Sequence, residues 1–143
     1  MNVPIIDAIK GAVTRSAAAV TPLSWTFEGA KPLIKILQAE LRDIGYHVAL
    51  GGGVLNKGVS KKDLDLYVLP MNNSSVYEDA REVLRRVLDF QGSIKDDPDY
   101  TGNRGLYLNS AMDEASVYSW KGKRVDVFVI QSHVSIVKRR LID

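Results

Sequence analysis

Cysteine is absent from the 143 residues, which removes disulfide frameworks, thiolate zinc sites and cysteine nucleophiles. No apolar run approaches the roughly 20 residues that a membrane-spanning helix needs. The opening stretch MNVPIIDAIKG carries Asp7 inside its apolar part and has no basic leader, so no signal peptide is expected. Together these absences predict a cytoplasmic protein with no membrane partner. Net charge is scarce too: it is only +2, too small for the total to imply nucleic-acid binding. The two histidines, His47 and His133, lack ligand spacing, so a histidine-based metal site is not expected.

No repeat, low-complexity tract or linker divides the chain, and its length suits one domain spanning residues 1–143. Ile5, Ile6, Ile9 and Val13 keep helical spacing between about Pro4 and Ala19, while residues 20–31 read as irregular. Leu33, Leu37, Leu41 and Ile44 form a second stripe, which Pro32 is expected to start and Gly45 to end. A short strand over Tyr46 to Leu50 runs into Gly51-Gly52-Gly53, and LDLYVL at Leu64 to Leu69 reads as another. Ser75 followed by Glu78 has the form of a capping box, ahead of a helical stripe ending near Gly92. Residues 93–104 read as a loop and Leu106 to Leu108 as a short strand. Val117 to Trp120 and Arg124 to Ile130 form a hairpin through Lys121-Gly122-Lys123, and a short helix follows from about His133. The fold class expected is α/β or α+β, with one mixed sheet and flanking helices.

Three acidic positions carry chemical interest. Asp63 and Asp65 stand two residues apart on a strand, so their side chains share a face at roughly 6.5–7 Å. Carboxylates held that close repel each other unless a cation lies between them. Oxygen ligands from one or two carboxylates, completed by phosphates, suit Mg²⁺. The preceding glycines let backbone approach a phosphate, and exposed amides at a turn or helix start are anion donors. Asp-Leu-Asp-Leu is equally the pattern of a half-exposed strand, and Gly-Gly-Gly that of a plain turn. Asp126 is the one acid in RVDVFVI, an otherwise apolar strand where an unpaired charge is costly. Its alternatives are a solvated strand edge or a partnership with a nearby lysine. If its strand lies beside that of Asp63 and Asp65, the three carboxylates converge.

Basic residues cluster at Lys57, Lys61 and Lys62, at Lys121, Lys123 and Arg124, and at Lys138 to Arg140. Such clusters are ordinarily solvated surface, although the first two flank the acids. Trp25 and Trp120 read as core or interface anchors rather than base-stacking platforms. The P-loop string is missing.

Gly-Gly, a spacer of about ten residues, Asp63-Leu-Asp65-Leu and a later Val-Asp126-Val strand together resemble the DNA polymerase β-type nucleotidyltransferase superfamily. Val54, Gly58 and the Lys62-Asp63 step are similar to the branch of tRNA nucleotidyltransferases and poly(A) polymerases. The resemblance covers about residues 33–130. It implies a nucleotidyltransferase fold and a Mg²⁺-dependent enzyme, with Mn²⁺ as a substitute ion. Asp63 and Asp65 would hold two ions, with Asp126 completing the second site. It also implies that Gly51, Gly52, Gly53 and Ser60 grip a nucleoside triphosphate such as ATP, with Lys62, Lys57 or Lys61 offsetting its charge. The product would be a nucleoside monophosphate joined to an acceptor hydroxyl on an RNA or tRNA end, a protein or a small molecule, with release of pyrophosphate. The base-reading motifs of the longer tRNA-branch members are not found, so a minimal catalytic domain is expected. Acceptor specificity would come from its own surface, a homodimer partner or another protein. The alternative on the same fold is a non-catalytic regulator that binds a nucleotide or a partner such as a toxin, an antitoxin-like module.

Overall fold

The computed structural model describes residues 24–100 and 112–132. The expected helices over Pro4 to Ala19 and from His133, and the strand at Leu106 to Leu108, lie outside them. The described elements are α+β, as the alternating periodicities predict. A five-stranded mixed sheet carries the core, a two-stranded sheet sits beside it, and three helices flank them. No helix among the described residues is long and apolar enough to cross a membrane.

Strand β1 (Trp25–Thr26) leads into helix α1 (Phe27–Arg42). The helix starts five residues before the expected Pro32, which lies inside it, and the stretch read as irregular already contains an element. Thr26 supplies the cap: its hydroxyl oxygen accepts from the Gly29 amide at 2.9 Å, satisfying a donor that the first turn would leave open. Ala30, Leu33, Leu37 and Leu41 bury one stripe. Past the helix end, Gly45 takes φ +89° and its amide donates to the Arg42 carbonyl, so the chain reverses there.

Strand β2 (Tyr46–Gly51) runs into a short helix α2 (Gly52–Lys57), then β3 (Val59–Ser60) and β4 (Leu64–Pro70). The Gly-Gly-Gly segment is therefore the junction of a strand and a helix, rather than a plain turn. Helix α3 (Tyr77–Val87) follows, but not through a capping box. Val76 occupies the cap position without a side-chain bond, and the Ser75 hydroxyl instead donates to the Gly45 carbonyl at 2.6 Å. Ser75 thus ties together the turns that precede β2 and α3. The helical stripe also ends early, because Asp89–Ser93 is strand β5. A 3₁₀ turn over Ile94–Asp96 comes next. Strands β6 (Met112–Trp120) and β7 (Lys123–Ile130) make the expected hairpin, with longer arms. Its two linking residues, Lys121 and Gly122, have φ +53° and +81°, the left-handed pair that matches strand twist.

The large sheet has the order β2-β4-β7-β6-β5, parallel only between β4 and β7. Alternation sorts each strand into two faces. Leu64, Leu66 and Val68 of β4, with Val125, Val127 and Val129 of β7, join the core with α1 and α3. Asp65 and Asp126 alternate with these residues and so belong to the opposite face.

Candidate metal centre

The strand β7, which carries Asp126, is central in its sheet and not at a solvated edge. Its parallel neighbour β4 is in a register that sets Asp65 directly beside Asp126. Neighbouring strands lie about 4.8 Å apart, so the two carboxylates rise side by side. Asp63 comes from the turn just before β4. That turn is shaped by Ser60, whose hydroxyl oxygen accepts from the amides of Lys62 (3.3 Å) and Asp63 (3.2 Å), while the hydroxyl donates to Asp63 Oδ1 at 3.4 Å. One carboxylate oxygen from each of Asp63, Asp65 and Asp126 lies within 4.8 Å of the others. The convergence anticipated from the sequence is therefore present.

The glycine junction touches this group. Gly51 pairs with Asp65 across β2 and β4. Gly52 adopts φ +62°, and a Cβ there would lie 1.7 Å from Asp65 Oδ2. Only a residue without a side chain leaves the carboxylate where it is. Gly53 approaches Ser60: a Cβ on it would meet Ser60 Cβ at 3.4 Å. The three glycines thus pack against Tyr67, Asp65 and Ser60 in turn. Lys62 is directed elsewhere, since its ammonium donates to the Asp99 carbonyl. Lys57 and Lys61 are exposed.

Asp126 has no solvent exposure. Among the described residues its cationic partner is Arg124, two residues earlier on the same face of β7: Nε donates to Oδ1 at 2.8 Å and Nη2 to Oδ2 at 3.3 Å. Sequence reasoning placed Arg124 in a surface cluster. The signal that could have found its role is the two-residue spacing from Asp126 on a strand. The same guanidinium forms an ion pair with Asp97 at 2.6 Å, a contact with no local signature. The Arg124 carbonyl accepts from the Trp25 indole at 2.7 Å, and Trp25 stacks on Trp120 with centroids 6.3 Å apart. Both tryptophans therefore act as anchors, with Lys123 and Lys121 over their rings. His47 is exposed on β2, opposite Leu69.

The electrostatics follow from burial and crowding. Burial, and then the charge of Asp63, push the Asp65 carboxyl up to about 6, against the pull of Arg124 and Lys62. Burial pushes Asp126 up to about 7; the Arg124 hydrogen bond opposes this, and a hydrogen bond with Asp63 adds to it. Burial pulls the Arg124 guanidinium down, but the hydrogen bonds and charges of Asp126 and Asp97 outweigh it and hold it above its ordinary range. Among the described residues, one arginine is shared between Asp126 and Asp97, and the Lys62 charge also acts on Asp65, so three carboxylates meet with fewer cations than acids. The donors are all oxygen, which suits a hard divalent cation such as Mg²⁺ or Mn²⁺ better than a soft metal. No protein-family model and no curated protein matches this sequence.

Proposed function

We propose that the protein is a divalent-cation-dependent nucleotidyltransferase of the polymerase β type, with Asp63, Asp65 and Asp126 as the metal-holding acids. The observation that carries this reading is the register of β4 and β7, which pairs Asp65 with Asp126 while Asp63 completes the group within 4.8 Å. Mg²⁺ held there would orient the β- and γ-phosphates and lower the pKa of an acceptor hydroxyl. The chain's own residues supply the rest. Ser60 fixes the turn that presents Asp63, and Gly52 leaves room for the Asp65 carboxylate at the head of α2. Gly51, Gly52, Gly53 and Ser60 then flank the place for the triphosphate. Arg124 orients Asp126 through both of its oxygens.

The test is label transfer. Labelled ATP, CTP, GTP and UTP are incubated with the full chain, Mg²⁺, total RNA and a lysate. Transfer is expected, with a loss of at least about 10³-fold in Asp65→Ala, since removing an essential metal ligand removes most of the catalysis. A second reading has one observation in its favour. Arg124 engages both oxygens of Asp126, so a cation already sits at one acid, as a non-catalytic nucleotide- or partner-binding module would need. Intact nucleotide binding without transfer to any acceptor would favour that module.

A further inference from the structure

The charged contacts on the acid face extend past Asp126. Nη2 of Arg124 lies 3.3 Å from Asp126 Oδ2 and 2.6 Å from Asp97 Oδ2, so one nitrogen faces two acids. All three side chains are shielded: 14% of Asp97, 19% of Arg124 and none of Asp126 meets solvent. Partly buried charges are screened little, so a change of charge at one end of this line is felt at the other. Asp97 is not one of the three converging acids. It reaches them through Arg124.

Both ends of the line are anchored by backbone. Strand β5 passes into the 3₁₀ turn, where Ile94 is buried and its carbonyl accepts from the Asp97 amide at 3.1 Å. The Asp99 amide then donates to Asp97 Oδ1 at 3.1 Å, while Oδ2 is turned to the guanidinium. On the other side, the Trp25 indole donates to the Arg124 carbonyl, and Arg124 Nε donates to Asp126 Oδ1 at 2.8 Å. A guanidinium held between two fixed carboxylates divides its charge between them. Lys62 is bound differently. Its exposed ammonium donates to the Asp99 backbone carbonyl, which no side-chain change at Asp97 removes.

We propose that Asp97 is a positioning residue of the metal centre: by holding one side of the Arg124 guanidinium, it keeps Asp126 available to a divalent cation. The proposal rests on the metal-holding reading above. Without Asp97, the whole guanidinium charge falls on Asp126. A guanidinium paired through both of its edges with one carboxylate competes with an ion for the same oxygens. The negative charge of Asp97 also adds to the field that attracts the ion. Both effects have one sign: Asp97 strengthens divalent binding without being a ligand. A tie that merely fastened the turn to the sheet would support stability and leave ion affinity alone.

Mn²⁺ titration of the full chain without nucleotide, followed by electron paramagnetic resonance, tests this. Asp97→Asn keeps the shape and the acceptor for the Asp99 amide but removes the charge. It is expected to weaken Mn²⁺ binding at least about tenfold, which corresponds to about 1.4 kcal/mol. Asp97→Glu keeps the charge and is expected to recover most of that loss. In an Arg124→Met background the effect of Asp97→Asn should largely vanish, because the two residues act as a pair. Unchanged Mn²⁺ affinity in Asp97→Asn, whatever its urea stability, overturns the proposal. So does an equal loss in both backgrounds, or a loss in Asp97→Glu as large as in Asp97→Asn. Where Arg124→Met does not fold, the Arg124 Nε–H resonance takes the place of that background. It should move in Asp97→Asn, and a resonance that stays in place overturns the proposal. No nucleotide is present, so failure of transfer to every acceptor leaves this result standing. Absence of Mn²⁺ binding in the unaltered chain instead defeats the metal centre and the proposal together.

Discussion

The two faces of the large sheet each bury a carboxylate, and they treat it differently. On the helix face, Glu114 of β6 is 8% exposed. It accepts from the Tyr77 hydroxyl of α3 at 2.6 Å and from the Tyr118 hydroxyl, and Arg85 lies 3.9 Å away. Burial and then Glu114 push both phenols above their ordinary range, so they remain donors. Arg85 in turn donates to Tyr118 and lies over the Phe90 ring. On the other face, Asp126 shares one arginine with Asp97 and confronts Asp65 and Asp63. The first carboxylate is closed off by donors that lock α3 to β6. The second is crowded by its own kind and, among the described residues, shares its arginine with a further acid. A carboxylate's surroundings, more than its burial, separate a structural role from a ligand-seeking one.

The comparison breaks most visibly if Glu114 is removed. Glu114→Ala leaves the Tyr77 and Tyr118 hydroxyls without their acceptor and Arg85 without its ion pair, so a loss of about 3–5 kcal/mol in urea unfolding is expected. Mn²⁺ affinity should not change, because the acid group stands on the opposite face. Asp65→Asn is the mirror variant. It relieves repulsion, so stability without metal should hold or rise while Mn²⁺ binding is lost. Equal destabilisation by the two variants would erase the distinction between the faces.

The parts of this arrangement that were legible in the sequence are those written in local periodicity. The stripe at Leu33, Leu37 and Leu41, the strand at Leu64 and the hairpin through Lys121-Gly122 appear, although Ile44 falls past the helix end and Lys123 already pairs in the strand. Asp63 and Asp65 were visible as a pair, and Asp126 as an acid in an apolar strand. Their meeting was conditional on strand order, which pairs segments about sixty residues apart. The misreadings were places where a tertiary partner, or another local cap, overrode the signal that was read. Ser75 has the form of a cap, yet the Gly45 carbonyl claims its hydroxyl. Pro32 looks like a helix start, but Thr26 caps the chain earlier. Phe90 and Gly92 continue no helix because β6 pairs with them. Asp97 and Glu114 had no sequence signal at all, since their partners are brought in by the sheet.

A smaller effect is expected at the junction of β2 and α2. Gly52→Ala forces a Cβ into the space of Asp65 Oδ2 at a left-handed φ of +62°. The backbone conformation costs about 1–2 kcal/mol, and the carboxylate must leave its row. Mn²⁺ affinity should fall at least about tenfold, as roughly 1.4 kcal/mol of lost ligand geometry would produce. Gly58→Ala is the control. Its φ is +79° with nothing within 4 Å of the added Cβ, so it should show the backbone cost with unchanged Mn²⁺ affinity. Matching Mn²⁺ affinities in the two variants would detach the glycine junction from the acids.

The last effect is the pH dependence of stability, and its sign is fixed by the burial of the acids and then by their crowding. Asp65 and Asp126 stand near 6 and 7 in the folded chain, against about 3.9 when unfolded. The folded state therefore binds more protons between pH about 4 and 7. The contribution of these two groups is fully present below that window and is lost as pH rises through it. A divalent cation binds the deprotonated group, so its stabilisation has the opposite slope. Urea unfolding at pH about 5 and about 8, in chelator and in millimolar Mg²⁺, separates the two. Mg²⁺ should add about 1–3 kcal/mol at the higher pH, as binding at ten to a hundred times Kd does, and little at the lower. In Asp65→Asn both the chelator slope and the Mg²⁺ gain should shrink. A Mg²⁺ gain that is equal at both pH values, or that survives in Asp65→Asn, would mean that the ion binds elsewhere and that the crowding of Asp63, Asp65 and Asp126 is relieved by Arg124 alone.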